Sequence, residues 1–508
     1  MPQIARSLDC CLIHPGGRET IYQSLGGTLT AIEPPLWCRL IAGHVLDRGF
    51  STEIIDGDAE ELAVSEVVER VGAMRPRLAV IVAAGHQPSA STQSMANAGK
   101  IATGIKQNLP EIPVLIVGGH VSALPERTLR EEDVDFVCKG EGPATVVGLL
   151  SALRDHGNAA HLDAIPGLVY WEADKPKINP SARLIEDLDG ELHGQVWDRL
   201  PMAKYRAHSW QCFGEPGSRQ PYASIYTTLG CPYRCNFCCI NAPFDSHRYR
   251  RRSPESVVAE IVHLREEYGV KTFKIIDEMF VLNDAHVEAV CDLLIEAGGD
   301  FNIWAYARVD TVKAKQLDKL RRAGVHWLAL GIESGSAHVR DGAKKALRSS
   351  DILGVVRAIQ GAGINVIGNY IFGLPDDDMT SVRQTLDLSL ELNCEFANFY
   401  AAMAYPGSQL YTMAVRGGWE LPSRWEGYSQ HSYETLPLKT DSMSAAEILR
   451  FRDLAFQEYF SAPSYLDMVA RKFGPDIIEE IESMRGVPLP RRLLEPMALG
   501  TRAPVGDR

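Results

Sequence analysis

The sequence predicts an α/β protein in which two parallel sheets follow one another along the chain. Over about the first 150 residues, short apolar runs alternate with helical patterns, an order typical of a parallel sheet with helices on both faces. From Pro221 onward the same alternation resumes, and beyond Pro406 the periodicity becomes helical. The predicted fold class is therefore α/β, with an N-terminal doubly wound parallel sheet, a partial (β/α)6 barrel and a small helical C-terminal domain.

The first sheet is predicted from apolar runs of strand length. The strand candidates are Cys10–Ile13, Thr52–Ile55, Leu78–Ala84, Val114–Val117 and Phe136–Cys138. The helical patterns between them lie near Leu36–Arg48, Ala59–Met74, Thr92–Asn108 and Ala144–Arg154. We expect this N-terminal domain to span residues 1–154, and an irregular linker with a few short strands to span residues 155–215.

Two loops at the predicted carboxyl ends of these strands have an unusual composition. The loop after the third strand is rich in small hydroxylic residues, among them Ser89 and Ser91, and also carries His86. The loop after the fourth strand begins with Gly118 and Gly119. Ligands of open parallel sheets bind outside the carboxyl ends of the strands, and glycine lets a bulky ligand approach the backbone. These loops are therefore the predicted ligand-binding edge of the first sheet.

The second sheet is predicted as a partial barrel over residues 216–415, with a helical cap over residues 416–508. Its strand candidates are Tyr222–Thr227, Thr272–Ile276, Ile303–Ala307, Trp327–Leu330, Val366–Phe372 and Phe396–Ala401. The active site of such a barrel lies at the carboxyl ends of the strands. The polar residues found there are Asp277, Glu278, Arg308, Asp310, Glu333 and the segment Gly373–Asp377. The tyrosines expected to line the barrel mouth are Tyr306, Tyr370, Tyr400 and Tyr405.

Three cysteines, Cys231, Cys235 and Cys238, follow the first barrel strand in the spacing CxxxCxxC. Three thiolates on one short loop can hold three irons of a [4Fe–4S] cluster, because cysteine thiolate is the usual protein ligand of such clusters. A structural zinc site normally has four ligands, and no second CxxC or HxxxH pair lies nearby. Free buried thiols or a zinc loop are the alternative interpretation. The spacing favours Cys238 over the adjacent Cys239 as a ligand.

Composition narrows the class of protein. The 508 residues carry a net charge of −13, which argues against a general nucleic-acid-binding protein. No apolar run approaches the roughly 18 residues of a membrane-spanning helix, and Met1–Leu8 lacks the pattern of a signal peptide. Eleven cysteines without such a signal favour a reducing cytoplasm. The basic run His247–Arg252 is interpreted as a solvated face before a helix or, alternatively, as a phosphate or carboxylate contact near the cluster.

The cysteine loop, with Phe237 just before its third cysteine, resembles the loop of radical S-adenosylmethionine (SAM) enzymes. The resemblance implies that the iron without a cysteine ligand binds the amino and carboxylate groups of SAM. It places Asp277 or Glu278 at the SAM amino group, Arg308 near its carboxylate and Glu333 near its ribose.

The same resemblance places the backbone of Ile371–Gly373, including Gly373, at the adenine of SAM. It also implies an external electron donor such as flavodoxin or ferredoxin.

The N-terminal loops resemble those of cobalamin-binding domains, in which a serine-bearing loop and a Gly-Gly loop embrace the nucleotide tail. The resemblance covers nearly all of residues 8–152 and implies cobalamin contacts from Ser89, Ser91, Gly118 and Gly119. A flavodoxin-like or other nucleotide-binding sheet is the alternative. The absence of GxGxxG after the first strand weakens the dinucleotide-binding version of that alternative.

The resemblance departs from the methionine-synthase type at one loop. Residues Asp56–Glu61, after the second strand, lack the histidine that binds cobalt in that type. We therefore expect cobalamin with its dimethylbenzimidazole displaced. His86 or Gln87 is a candidate for the lower face of the cobalt, and an ordinary hydrogen bond from the loop histidine is the alternative.

Taken together, the order of domains resembles the cobalamin-dependent radical SAM family over nearly the whole chain. The resemblance implies a C-methyltransferase that methylates an unactivated carbon of a small or natural-product metabolite through a 5′-deoxyadenosyl radical and methylcobalamin. Oxidative cyclisation or ring rearrangement with the same cofactors is the first alternative. A non-catalytic cobalamin and iron–sulfur sensor or electron carrier is the second. A methylthiotransferase is disfavoured because Cys10, Cys11 and Cys38 form no convincing second cluster triad.

Overall fold

The computed structural model describes residues 8–27, 29–87, 89–156, 161–345 and 351–495. The N-terminal sheet in this structure has seven strands. Its strands are β1 (Leu8–His14), β2 (Thr52–Asp56), β3 (Pro76–Val82), β4 (Val114–Val117), β5 (Phe136–Cys138), β6 (Leu168–Glu172) and β7 (Lys175–Ile178). The strand order is β2-β1-β3-β4-β5-β6-β7, in which the first five strands are parallel and the last two antiparallel. The predicted doubly wound parallel sheet is confirmed.

Helices cover both faces of this sheet. They are α1 (Arg18–Tyr22), α2 (Leu36–Asp47), α3 (Val64–Met74), α4 (Ala90–Asn108), α5 (Gly119–Ala123), α6 (Pro125–Glu131) and α7 (Pro143–His156). One face has an apolar core of its own, whereas the core of the other face continues into the barrel. The two short helices α5 and α6 were not expected from the sequence, because five to seven residues are too few to show a helical period.

The segment after β7 crosses both domains. It contains the short helix α8 (Leu188–Glu191) and four turns of 3₁₀ helix: Trp197–Arg199, Met202–Lys204, Ser209–Cys212 and Pro216–Arg219. Trp197 donates its indole N–H to Glu260 of the barrel at 3.0 Å, and Arg206 pairs by its backbone with Ile32 of the N-terminal domain. These contacts make the linker part of the interface that holds the two sheets together.

The second sheet curves into a six-stranded partial barrel. Its strands are β8 (Tyr222–Ile225), β11 (Thr272–Ile275), β12 (Asn302–Arg308), β13 (Val325–Glu333), β14 (Asn365–Phe372) and β15 (Phe396–Ala401), with the two-stranded ribbon β9 (Thr228–Leu229) and β10 (Arg250–Arg251) beside it. The six strands are parallel and are ordered as they occur in the chain. The carboxyl ends of all six strands therefore lie at one edge, as predicted.

The barrel helices follow the strands, and a helical cap follows the barrel. They are α9 (Pro254–Tyr268), α10 (Asp284–Glu296), α11 (Ala314–Arg322), α12 (Ala337–Gly342), α13 (Ile352–Gly361), α14 (Met379–Leu392), α15 (Gln409–Gly417), α16 (Ala445–Phe460), α17 (Pro463–Phe473) and α18 (Ile477–Arg485). Ser253 caps α9 through a hydrogen bond to Ser256, and Gly269 ends it in a left-handed conformation, as its sequence predicts.

None of the helices in the described part of the chain is both long and apolar enough to cross a membrane. The predicted frayed end, residues 498–508, lies outside the described residues.

Candidate active site

The cysteine loop lies at the carboxyl edge of the barrel. Cys231, Cys235 and Cys238 all line one cavity of about 300 Å³. Two asparagines hold the loop: Asn241 donates to the carbonyl of Cys231 at 2.9 Å, and Asn236 donates to the carbonyl of Gly342 at 3.0 Å. The backbone of this loop is thus tied both to itself and to the end of α12.

Burial keeps the thiols of Cys231 and Cys238 neutral in the absence of a compensating cation. It raises the pKa of Cys231 to about 11 and holds the pKa of Cys238 well above its usual value. The neighbouring Cys239 also lines the cavity, and burial raises its pKa to about 12. Bound iron deprotonates such thiols, because the charge of the metal compensates the thiolate.

Arg308, at the end of β12, contacts the cysteine loop. Its guanidinium lies 3.7 Å from Cys235 Sγ and stacks on the ring of Tyr233 at 3.9 Å from the ring centre. Asp310 accepts from Arg308 Nε at 2.9 Å, and the carbonyl of Lys345 accepts from its Nη2 at 3.1 Å. Arg308 is therefore fixed in place and positively charged at the edge of the cavity.

The two acids after β11 have different surroundings. Asp277 is buried and accepts from both the backbone N–H and the hydroxyl of Thr227, at 2.7 and 2.5 Å. Glu278 lines the cluster cavity, and among the described residues it has no ion-pair partner. Burial raises the pKa of Glu278 to about 8, with Asp277 adding to the shift. Of the two candidates, only Glu278 faces the cavity that holds the cysteines.

Glu333, at the end of β13, is paired with a lysine that sequence reasoning missed. Its Oε1 lies 2.5 Å from Lys345 Nζ, and both side chains are less than a tenth exposed. Burial alone would lower the pKa of Lys345, but Glu333 more than offsets it and the pKa is raised. Both residues line the cluster cavity. No sequence signal marked Lys345, because it lies in an irregular segment after α12.

Gly373 shapes the wall at the end of β14. Its φ is 85°, and a Cβ atom there would lie 2.7 Å from Ile448 Cδ1, so only glycine fits without a shift. Its N–H donates to Asp377 Oδ2 at 2.9 Å. Ile371 and Leu374 on either side line the cavity, and Phe237 packs against Leu374. Gly373 itself therefore lies behind the wall of the cavity, whereas Ile371 and Leu374 form part of that wall.

The serine and glycine loops of the N-terminal domain contact each other beside the cysteine loop. Ser91 donates to the carbonyl of Ala83 at 2.5 Å and accepts from the N–H of His120 at 2.9 Å. A Cβ on Gly118 would lie 2.1 Å from that same carbonyl oxygen, which excludes any larger residue. Gly119 has only ordinary contacts and lines a second cavity, between the domains. Ser91 and Gly118 therefore build the loops, whereas Gly119 leaves space beside them.

His86 lies where the cavities meet. It lines the cluster cavity, the interdomain cavity and a third cavity beside α2. Its Nε2 lies 2.6 Å from the carbonyl of Pro34, and its Nδ1 lies 2.9 Å from Glu33. Burial alone would raise the pKa of Glu33, but His86 and Lys274 hold it well below its usual range. His86 thus has a hydrogen-bond partner at Nε2, whereas its Nδ1 lies at ion-pair distance from Glu33 without hydrogen-bond geometry.

The basic run His247–Arg252 joins the domains. Arg250 pairs with Glu141 of the N-terminal domain at 2.6 Å, and both side chains are less than a tenth exposed. Arg252 pairs with Glu260 at 2.6 Å, and Arg39 of α2 reaches the same carboxylate at 3.3 Å. These pairs give part of the run a structural role that neither predicted interpretation included.

A chamber of about 520 Å³ adjoins the cluster cavity inside the barrel. The lining residues common to both spaces include Tyr306, Tyr400 and Tyr405, as expected for the barrel mouth, and also Ser89. The expectation that Tyr370 lines the mouth is wrong. Its side chain is fully buried and stacks on Phe399, because it points from β14 into the apolar core.

The sequence matches known families in both halves. The Radical SAM superfamily model matches residues 225–389, and the B12 binding domain model matches residues 22–150. An uncharacterized methyltransferase from Pyrococcus horikoshii is 30% identical over 420 residues, which cover 82% of this chain and 85% of that protein.

The chain belongs to the cobalamin-dependent radical SAM family.

Further relatives agree with this family. An anaerobic magnesium-protoporphyrin IX monomethyl ester cyclase from Synechocystis is 30% identical over 319 residues, 61% of this chain and 60% of that one. The structure of the radical SAM methyltransferase TsrM from Kitasatospora setae, with cobalamin and a [4Fe–4S] cluster bound, matches with a TM-score of 0.65 at 18% identity. That match covers 90% of this chain and 89% of the TsrM chain. The structural likeness concerns the fold.

Radical SAM enzymes of this family use a [4Fe–4S] cluster, SAM and cobalamin, and the residues present fit these cofactors. In the described part of the chain, no three His, Cys, Asp or Glu side chains converge closely enough to hold a single metal ion. A cluster does not need that convergence, because each thiolate binds a different iron. The cavity at Gly119 lies between the serine loop and the cysteine loop, at the edge of the first sheet that was predicted to bind a ligand.

Proposed function

We propose that the protein is a methyltransferase that transfers a methyl group from SAM, through cobalamin, to an unactivated carbon of a small molecule. The observation that carries the proposal is the position of the cluster cavity. It shares His86, Cys239 and Glu278 with the interdomain cavity, and the barrel-mouth tyrosines with the chamber. A substrate in the chamber therefore meets the cluster side and the cobalamin side at one place.

The residue roles follow from these surroundings. Cys231, Cys235 and Cys238 bind the cluster, and Glu278 holds the SAM amino group, because it is the acid that lines the cavity without a partner. Arg308 holds the SAM carboxylate, and Glu333, fixed by Lys345, meets the ribose.

On the cobalamin side, Gly119 and Ser91, which line the interdomain cavity, would hold the nucleotide tail. When bound, the cluster with SAM supplies a radical that abstracts hydrogen, and cobalamin supplies the methyl group.

The protein's own task is to position these groups and to exclude water. The cluster cavity is bounded by buried apolar residues such as Ala402 and Met403, and its two cations are each held by a carboxylate. Exclusion of water protects reactive intermediates from side reactions. An external electron donor such as flavodoxin or ferredoxin would reduce the cluster. The eleven cysteines are all free, which supports our proposal of a reducing cytoplasm.

The test uses protein reconstituted anaerobically with iron, sulfide and cobalamin, then supplied with reductant and SAM. Methyl transfer from SAM to cobalamin releases S-adenosylhomocysteine, and radical formation releases 5′-deoxyadenosine. We expect both products, with S-adenosylhomocysteine absent when cobalamin is omitted. If neither product forms in fully loaded protein, the proposal is wrong and the protein acts as a binding protein or an electron carrier.

Oxidative cyclisation is the second candidate, because a curated relative at 30% identity is a cyclase. It uses the same cofactors without consuming the methyl group of SAM. Deoxyadenosine without S-adenosylhomocysteine, in the presence of reduced cobalamin, would favour cyclisation over methylation.

A further inference from the structure

The chamber ends at a group of arginines, away from the cysteine loop. The residues that line this end, and that the cluster cavity does not share, include Arg452 and Asp453 of α16 and Arg485 at the end of α18. Arg491 lies directly behind them, since it reaches the same Asp453. The charge at this end of the chamber therefore comes from three guanidinium groups and one carboxylate.

The single carboxylate does not balance the arginines. Arg452 Nη1 lies 2.8 Å from Asp453 Oδ1, and Arg491 Nη2 lies 3.5 Å from the same oxygen. The two arginine side chains are only 7% and 1% exposed. Arg485 has no carboxylate within ion-pair distance in the described ranges, and its Nε donates to Gln457 at 3.2 Å. Arg485 is half-buried, but Arg452 and Arg491 are buried and share one carboxylate. Buried charge that is not balanced is costly, so this end of the chamber favours an anion.

Arg452 has a donor group left for a ligand. Its Nε donates to the carbonyl of Phe399 at 2.8 Å, and its Nη1 is held by Asp453. Its Nη2 has only a 3.5 Å contact with His431 Nδ1. Burial and the two neighbouring arginines hold the pKa of His431 well below its usual range, so this imidazole is neutral and adds no further cation.

Aromatic side chains line much of the rest of the chamber, together with polar residues such as His208, Ser429 and Gln430. Trp210 and Trp304 lie edge to face with ring centres 5.3 Å apart at its base, and Phe396 stacks on Trp210. Asn398 donates to Asn369 at 3.0 Å and provides a polar band across the middle. A volume of about 520 Å³ is in the range of small-molecule sites.

We propose that the chamber binds a small molecule with an apolar, ring-bearing body and a terminal carboxylate or phosphate. Arg452 and Arg485 hold the anionic group, and the body extends along Trp304 toward Tyr306 and Tyr400 at the cluster cavity. This inference rests on the proposed function, because it states the substrate class of that same site. The arginine end fixes one end of the substrate, and it thereby determines which substrate carbon faces the cofactors.

The experiment is a titration of the reconstituted holoenzyme with three probes of similar shape. They are 2-naphthylacetate, 2-naphthyl phosphate and the neutral 2-naphthylacetamide, measured by isothermal titration calorimetry. We expect at least one anion to bind about tenfold more tightly than the amide, the gain typical of a hydrogen bond to a charged group. The anionic probe that binds more tightly shows whether the site prefers a carboxylate or a phosphate.

Variants locate the preference at the arginine end. Arg452→Gln and Arg485→Gln should each reduce the preference severalfold, whereas Asp453→Asn should raise it about threefold because the competing carboxylate charge is lost. Arg416→Gln, on the exposed surface of α15, is the matched control and should leave the preference unchanged. If Arg452→Gln fails to fold because its bond to Phe399 is lost, Arg485→Gln and Asp453→Asn still decide the question.

Equal affinity for the three probes, or no binding of either anion, would overturn the inference. An anion preference that has the native size in both Arg485→Gln and Asp453→Asn would overturn it as well. The titration requires no SAM cleavage. Its failure is therefore separate from failure of the proposed function, which shows as missing deoxyadenosine and S-adenosylhomocysteine.

Discussion

The cluster cavity and the chamber adjoin each other, but their charges are arranged in opposite ways. In the cluster cavity Arg308 is neutralised by Asp310 at 2.9 Å, and Lys345 by Glu333 at 2.5 Å. Glu278 lines the same cavity and has no ion-pair partner among the described residues. In the chamber, Arg452 and its neighbours outnumber the one carboxylate. SAM carries a net positive charge, and the proposed substrate carries a negative one. Each cavity therefore lacks the counter-charge that its ligand supplies.

The largest effect is expected at the cysteine loop itself. Cys238→Ala should reduce deoxyadenosine formation at least about a thousandfold, because a cluster with two protein ligands does not persist in a functional form. Cys239→Ala, one residue away and lining the same cavity, is the matched control and should retain the activity. Deoxyadenosine is quantified by liquid chromatography. Loss in the Cys239 variant with retention in the Cys238 variant would reassign the third ligand.

A large effect on stability is expected at the buried ion pair between Arg250 and Glu141, where each charge has its partner and no ligand is involved. Glu141→Gln leaves Arg250 buried without its partner, and should lower the free energy of unfolding by about 3 kcal/mol. Glu131→Gln removes an exposed ion pair with Arg127 and should change it by less than about 0.5 kcal/mol. Chemical denaturation of both variants gives the comparison. Equal effects would show that the interdomain pair contributes no more than a surface pair.

Glu278, the acid without an ion-pair partner in the described lining of the cluster cavity, tests the charge difference between the two cavities. Glu278→Gln should weaken SAM binding about thirtyfold, because it removes the only unpaired carboxylate in the lining of the cluster cavity as far as the chain is described. Glu288→Gln, on the exposed face of α10, serves as the control. Equilibrium dialysis with labelled SAM gives the two dissociation constants. Unchanged affinity in Glu278→Gln would assign the amino group of SAM to another residue.

The smallest expected effect is on cobalamin binding. Gly119→Leu places a side chain in the interdomain cavity, where the backbone has no clash of its own, and should reduce cobalamin affinity about tenfold. Gly217→Leu has open space around it and is the control. Cobalamin retained after gel filtration is read from its absorbance. Full occupancy in the Gly119 variant would place the cofactor elsewhere.

The sequence was informative where function depends on short contiguous motifs. The cysteine loop, the serine loop and the Gly-Gly loop each lie within a dozen residues at a strand end, so spacing and composition were enough to find them. Helix α9 was bounded correctly because its cap residues act locally. The class of both sheets followed from the alternation of apolar runs.

The sequence did not predict the sites that are assembled from distant segments of the chain. The chamber brings Trp210, Arg452 and Arg485 into one lining, although about 240 residues separate the first two. Lys345 pairs with Glu333 from the other side of helix α12, and no local sequence pattern marks this pair. Tyr370 was misplaced because alternation along β14 alone does not show which face of a curved sheet is lined by core. Only tertiary packing decides these positions.

The most direct measurement is the electron paramagnetic resonance spectrum of the reduced, reconstituted protein before and after addition of SAM. Three cysteine ligands leave one iron open, so SAM binding at that iron should shift the g values of the [4Fe–4S] signal. We expect a shift in the native protein and in Cys239→Ala. A [4Fe–4S] signal that SAM leaves unchanged in fully reconstituted native protein would contradict the assignment of this cavity as the radical SAM site.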